Sequence, residues 1–556
     1  MAVFFQLRRP TAFLVALASV LPGMVSARNI IVAPSGGNYS TLAAGVGAAQ
    51  AGDTVTVRAG TYNEAVSFGR SGSAAAYITL NGNPGAILDG TGLSGQGITI
   101  SSRNYIRVIG MTVQNFKGSG TPMGISVAGS SSFIELRNNL IHNIESPNDN
   151  AHGIAFYGSA ATPMTNILVQ GNEIRNCRLG QSESLVLNGN IDGFTVSGNI
   201  VHDNDNIGID FIGFEGTGPS GQDQARNGIC IDNVVYNISS ATNPTYGGDR
   251  SADGLYVDGG RDIVIERNKV DNCDIGVEVA SEHGGKASSN ITIRDNFISR
   301  GYQGNILMGG YDATRGNAVN VVVVNNTTCQ ATNLEIELQY NCNGITIKNN
   351  ILYARTGQPY ISNDGGNNTN VSVDGNIYFG ASGTSPGSYP DAHARFVNPL
   401  LVNPLTDLHL LAGSPAIGAG INLGNDAQGQ PLSGASDIDR RPRVQGSAID
   451  IGANEFGSGT LDAGEYPVAG TALSLVAASP IRGGTTVHYA LPSPASVTLR
   501  AYDLQGRVVG TPIDREVQPA GWHDASLRAE LWPAGCYFVR LTASGAAVTR
   551  RVVVLK

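Results

Sequence analysis

The chain has 556 residues, more than one ordinary domain needs, and only 6% of them are aromatic while 73 are glycine. Its net charge of -9 makes it a poor candidate for binding nucleic acid or anionic membrane, both of which need clustered cations. It does not exclude an acidic sugar, because a bound metal reverses the local sign.

Residues 1–27 read as a secretory leader: Arg8 and Arg9, the apolar run Ala12 to Leu21, then Val25-Ser26-Ala27 before the cut. The apolar run is too short for a membrane anchor, and no later segment is long and apolar enough to span a bilayer. None of the six cysteines forms a C-x-x-C pair. Export permits disulfides, Cys329 and Cys342 being nearest in sequence, and buried free thiols fit equally.

From Ile31 to Tyr62 the pattern is strand, short helix around Leu42 to Ala49, strand. The middle of the chain then repeats an apolar-x-apolar-x-x-Asn unit that ends at Asn139, Asn172, Asn199, Asn233, Asn268, Asn296, Asn326, Asn350 and Asn376. Period-two alternation marks strands, and a repeat too small to bury its own face must stack on its neighbours. The recurring Asn is expected in a turn, its amide bonding the coils on either side. Helical arrays lack this alternation, and propeller blades would be longer and would repeat aromatic motifs. The predicted fold is all-β: a right-handed parallel β-helix over residues 28–456, with 395–456 closing its last coils. The longest loops, containing Phe214 to Asp223 and Asn243 to Arg250, would wall a groove if they stack on one side.

A second strand type follows each Asn turn and contains Ile154, Leu185, Ile209, Leu255, Val277 and Leu334 as inward residues. Its outward third places read Ala155, Val186, Asp210, Tyr256, Glu278, Ile306 and Glu335. The fifth places read Tyr157, Asn188, Ile212, Asp258, Ala280, Met308 and Glu337, the register of Gly304 to Met308 being ambiguous. Asp210, Asp258 and Glu278 therefore fall within three adjacent coils of one face. Glu215, Asp249, Asp253, Glu282, His283 and Tyr311 lie in loops beside it. Crowded carboxylates must bind a cation, share a proton or stay solvated. The first option points to calcium, with Asp210, Asp258, Glu278 and Glu282 as oxygen ligands. The second points to a hydrolase acid/base pair, with His283 and Tyr256 binding sugar. The third is a plain acidic surface, as on a glycan-binding stalk or adhesin. Tyr256, Tyr311, Asn188, Glu335 and Glu337 are the candidate substrate contacts.

The opening strand–helix–strand and the coils over roughly 29–456 resemble the pectate-lyase superfamily of secreted β-helix proteins. That resemblance implies a calcium-dependent lyase, in which calcium neutralises a uronate and a Lys or Arg removes the C5 proton. Lys286, which follows Glu282 and His283, is the candidate base, with Arg250 and His283 as rivals; the family's catalytic motifs do not align residue by residue. A hydrolase on Asp210, Asp258 and Glu278 needs no lysine. After a linker at 457–470, residues 471–556 form short alternating strands of a small β-sandwich. With Ser479-Pro-Ile-Arg-Gly-Gly, Tyr502-Asp-Leu-Gln-Gly and Pro533-Ala-Gly-Cys-Tyr, this part resembles the immunoglobulin-like C-terminal sorting domain of type IX secretion. That implies the type IX secretion machinery as a partner and an extracellular, bacterial location. The expected substrate is a polysaccharide and the expected state a monomer.

Overall fold

The computed structural model describes residues 27–457, short of 382, 427–428 and 444–447, and most of 474–555. The expected leader (but for Ala27) and the 457–470 linker beyond Gly457 lie outside the described residues. Residues 29–396 form a parallel β-solenoid of three sheets, two of 13 strands and one of 11. Each inner coil passes through a first-sheet strand (Ile167–Gln170, for instance), a short second-sheet strand (Glu173–Arg175) and a third-sheet strand (Leu185–Gly189). The sequence pattern separates only two strand types. The middle one is three residues long in most coils, too short for alternation to declare itself.

The corner between first and second sheets explains the repeated asparagine. The residue before it adopts a left-handed conformation, as at Asn138 (φ 52°), Gly171 (φ 66°), Asp232 (φ 58°) and Asn325 (φ 53°), which Asn, Asp and Gly accept most readily. The asparagine then turns inward. Asn139, Asn172, Asn199 and Asn233 are all buried, and each amide donates to the next one's Oδ1 at 2.9–3.0 Å. The ladder continues through Asn268, Asn296, Asn326 and Asn350 to Asn376. It ends on Asp391, whose Oδ2 accepts from Asn376 Nδ2 at 3.0 Å. All nine predicted asparagines are in it. Between the sheets Ile, Val and Leu stack from Ile30 to Tyr378 in one continuous apolar core. Five cysteines, Cys329 and Cys342 among them, are buried and free.

The expected helix is present at Leu42–Ala48, started by Thr41, whose hydroxyl accepts from Ala44 N. It buries Leu42 and Val46 over the first coil and covers an edge that would otherwise invite pairing. The 395–456 region does more than close the last coils. It also runs back along the second sheet, where Leu401, Leu408, Leu410, Ile438 and Ile451 cover Phe297, Cys329, Ile351 and Ile377. Asp439, Arg440 and Arg441 serve structural ion pairs there, including Arg440–Asp232 at 3.2 Å and His409–Asp439 at 2.9 Å. Beyond residue 474, a three-stranded and a five-stranded sheet, mostly antiparallel, share a core of Leu475, Tyr489, Leu499, Val539 and Val552, as a β-sandwich requires. Among the described residues no helix is long and apolar enough to cross a membrane.

Candidate active site

The third sheet carries the site. Its strands register so that Val186, Asp210, Tyr256, Glu278, Leu307 and Glu337 form one outward column. Inward residues alternate with them, so the side chains of this column leave the core. Asp258 stands two residues further along the strand, opposite Ala280. The register settles one open placement on this face and corrects another. Ile306 and Met308 are inward, paired with Val277 and Val279, because Leu307 takes the outward place. Glu337, not Glu335, lies in the column of Glu278, because Ile336 and Leu338 are the inward pair. Glu335 is buried at the preceding corner, where it accepts from Asn305 Nδ2 at 2.6 Å and Ala331 N at 3.1 Å. Burial lifts its carboxyl to about 7.

Two loops border the site, one at each end of its strands. Residues 239–252 precede the third-sheet strand Asp253–Asp258. They are tied down by buried Asp274, which accepts from Ser239 Oγ (2.8 Å), Ser240 N (2.8 Å) and Arg250 Nε (2.7 Å). Residues 213–224 follow strand Ile209–Ile212 and are held by Asp223, which accepts from Gly216 N and Gly218 N. Between these walls the carboxylates are nearly hidden: Asp210 and Asp253 are 2% exposed, Asp258 4% and Glu278 7%.

Asp253 was expected only as a loop neighbour. It opens a strand instead, opposite Ile275, one coil from Glu278. Burial, then the charge of Glu278, pushes Asp253 well above the usual carboxylate range. Burial lifts Glu278 to about 7, with Asp253 acting against the rise. The two carboxyls titrate as one unit and share protons between them. Asp210 is also raised well above normal, by burial and by Glu183 and Asp258. Burial and Glu282 do the same to Asp258, although Glu282 N donates to its Oδ1 at 3.0 Å. One oxygen each of Asp210 and Asp253 is buried without a hydrogen-bond partner. Tyr256 lies between Asp210 and Glu278, and burial followed by the charges of Asp258 and Glu278 pushes its hydroxyl up.

Of the expected bases, one is committed to an ion pair and two stand on the rim. Arg250 is committed to Asp274 and stacks over Tyr302, which makes it a loop anchor. Lys286 is exposed, its Nζ 5.3 Å from the centroid of the Phe214 ring. His283 Nε2 pairs with Glu215 at 2.9 Å on the rim, beside exposed Glu282. Tyr311 is 52% exposed under Arg315. Glu183, outside the repeated motif, adds its charge to Asp210 and was not foreseen, since it precedes the strand that starts at Leu185.

No known family model matches the chain. It is 39% identical over 357 residues to the uncharacterized protein YwoF of Bacillus subtilis (strain 168), covering 61% of this chain and 76% of that one. Among solved structures it is similar in outline to XylC in complex with xylose (TM-score 0.44, 12% identity, 76% of this chain and 98% of that chain). It is also similar to the family 28 exopolygalacturonase of Yersinia enterocolitica (TM-score 0.39, 11% identity, 66% and 78%). A third is the endo-xylogalacturonan hydrolase of Aspergillus tubingensis (TM-score 0.33, 11% identity, 66% and 99%).

Proposed function

The chain belongs to the same family as Bacillus subtilis YwoF, and from its own cleft we propose that it is a secreted glycoside hydrolase acting on a polysaccharide. In this reading Asp210 is the general acid, Glu278 the general base, and Asp253 the carboxyl that shares protons with Glu278. The observation that carries it is the cluster of buried carboxyls, Asp210, Asp253, Asp258 and Glu278, on an outward, loop-walled face. A buried carboxyl kept neutral can protonate a glycosidic oxygen, and a carboxyl that ionises near 7 can take a proton from water. Asp210 and Glu278 stand two coils apart, a backbone spacing of about 10 Å at 4.8 Å per strand. That suits a water between acid and base, as in inverting hydrolysis, better than the roughly 5 Å of a retaining pair. The acid gives its proton to the leaving oxygen, water adds to the anomeric carbon, and the base takes the water's proton.

A calcium-dependent lyase is the second reading, and the unpartnered oxygens of Asp210 and Asp253 favour it. They are hard donors of the kind calcium takes, and Asp210, Asp253 and Glu278 would hold the ion. Bound there, calcium would supply a positive charge to a uronate carboxylate. Hydrolysis is preferred because Arg250 is spent on Asp274 and Lys286 lies over Phe214. The test is incubation with a panel of neutral and uronate polysaccharides, with and without chelator. New reducing ends without ultraviolet absorbance, insensitive to chelator, support hydrolysis. Rising absorbance abolished by chelator replaces it with elimination. Export belongs to the same proposal, with 1–27 as leader and 471–556 as a type IX sorting signal. Deleting 471–556 should keep the protein from the medium.

A further inference from the structure

The outward face changes character on the coils before Asp210. Ala155 and Val186 precede it in the column, and Tyr157, Asn188 and Ile212 run parallel two residues along. Ala155, Val186 and Ile212 are buried together with Met123, and half-buried Tyr157 packs against them. An apolar floor of this kind, facing out of the solenoid, has no place in its core.

Polar groups converge on the same floor. Tyr157 Oη lies 2.8 Å from His152 Nε2, and His152 Nδ1 lies 3.3 Å from Glu183 Oε2. His152 is 2% exposed. His152 Nδ1 is buried without a hydrogen-bond partner, so Glu183 acts on the ring only through its charge. The tyrosine hydroxyl shares one hydrogen bond with Nε2 and has capacity for another. One strand further on, Asn188 is 7% exposed and its Oδ1 is buried with no partner. A buried acceptor left unpaired is costly until something supplies a donor. The nearby cations are engaged: Arg178 faces Asp205 at 3.8 Å, and Arg226 holds Asp192 and Asn190.

We infer that Tyr157, Asn188 and the Ala155–Val186–Ile212 floor form a subsite for an uncharged sugar unit, adjoining Asp210. The apolar face of the ring rests on the floor, and its hydroxyls donate to Tyr157 and Asn188. A uronate unit there would meet Glu183 without a counter-cation. His152 is a positioning residue that holds the tyrosine hydroxyl. This deepens the hydrolase reading and rests on it.

The test uses the full chain carrying Glu278→Gln, titrated by calorimetry with xylohexaose, cellohexaose and a galacturonate hexamer. At least one neutral oligomer should bind, and more tightly than the uronate one. Adding Tyr157→Phe or Asn188→Ala should weaken that binding about 3- to 10-fold, the value of one lost hydrogen bond. His152→Ala should do the same, whereas His152→Gln, which keeps a polar partner for the tyrosine hydroxyl, should restore part of it. In the active protein Tyr157→Phe should raise KM more than it lowers kcat. Unchanged affinity and KM in both Tyr157→Phe and Asn188→Ala overturn the subsite, as does tighter binding of the uronate hexamer or no binding by any oligomer. Cleavage with unchanged KM would sink the subsite alone. Binding without cleavage by the unsubstituted chain would sink the hydrolase reading and leave the subsite standing.

Discussion

Glu278 should make the protein less stable as pH rises, and removing its charge should reverse this. Burial lifts its carboxyl from the ordinary 4.5 to about 7. The folded chain therefore binds a proton more tightly than the unfolded chain does, and stability falls as pH rises from 4.5 through 7. Moving one carboxyl over that interval is worth about 3 kcal/mol at 1.4 kcal/mol per tenfold. This is an upper figure, because Asp253, Asp210 and Asp258 share the cluster and redistribute protons when one member is neutralised. Glu278→Gln removes the charge. Its stability relative to the parent chain should be near zero at pH 4 and rise by about 1–3 kcal/mol at pH 8. Urea unfolding at pH 4, 6 and 8 measures this directly, at constant ionic strength. A difference that stays flat across the three pH values would refute the claim that Glu278 is held partly protonated by burial.

Replacing Asn233 by Ala removes the acceptor for Asn199 N and Asn199 Nδ2 and the donor to Asn268 and Val196. With 1–3 kcal/mol for each group left unpaired, a loss of about 3 kcal/mol or more is expected in urea unfolding; a loss below about 1 kcal/mol would show that the ladder is not a stabilising element. Asp274→Ala frees the 239–252 wall by removing the acceptor for Ser239, Ser240 and Arg250. Limited proteolysis should then cut within 239–252 while the solenoid stays intact, and an uncut loop would contradict the anchoring role.

The solenoid is legible in the sequence because its constraints are local and repeated. A left-handed residue followed by a buried asparagine must recur once per coil, and Asn172, Asn199 and Asn233 sit where the pattern puts them. The site is less legible because it depends on register. Leu334 and Ile336 look like an inward pair, but Ile336 and Leu338 are the inward ones, so Glu335 and Glu337 exchange roles. Asp253 escapes notice because it lies at a corner, where alternation breaks and the side chain of the next residue, Gly254, would point at Val270 in the core. Arg250 looked available because sequence distance hides its pairing with Asp274 across 24 residues. The partnership of His152 with Glu183 joins residues from successive coils, and no local spacing announces it. Asp210, Tyr256 and Glu278, by contrast, follow from period two alone and are correctly aligned on one face.

The central claim is that buried carboxyls on the third sheet perform acid/base chemistry on a glycosidic bond. The most direct measurement is reducing-end release by Asp210→Asn and Glu278→Gln on whichever polysaccharide the unsubstituted chain degrades, with urea unfolding to verify the fold. Losses of about 100-fold or more in kcat, with both proteins folded, are the expected result. Turnover within about twofold of the unsubstituted chain in both folded variants would contradict the account.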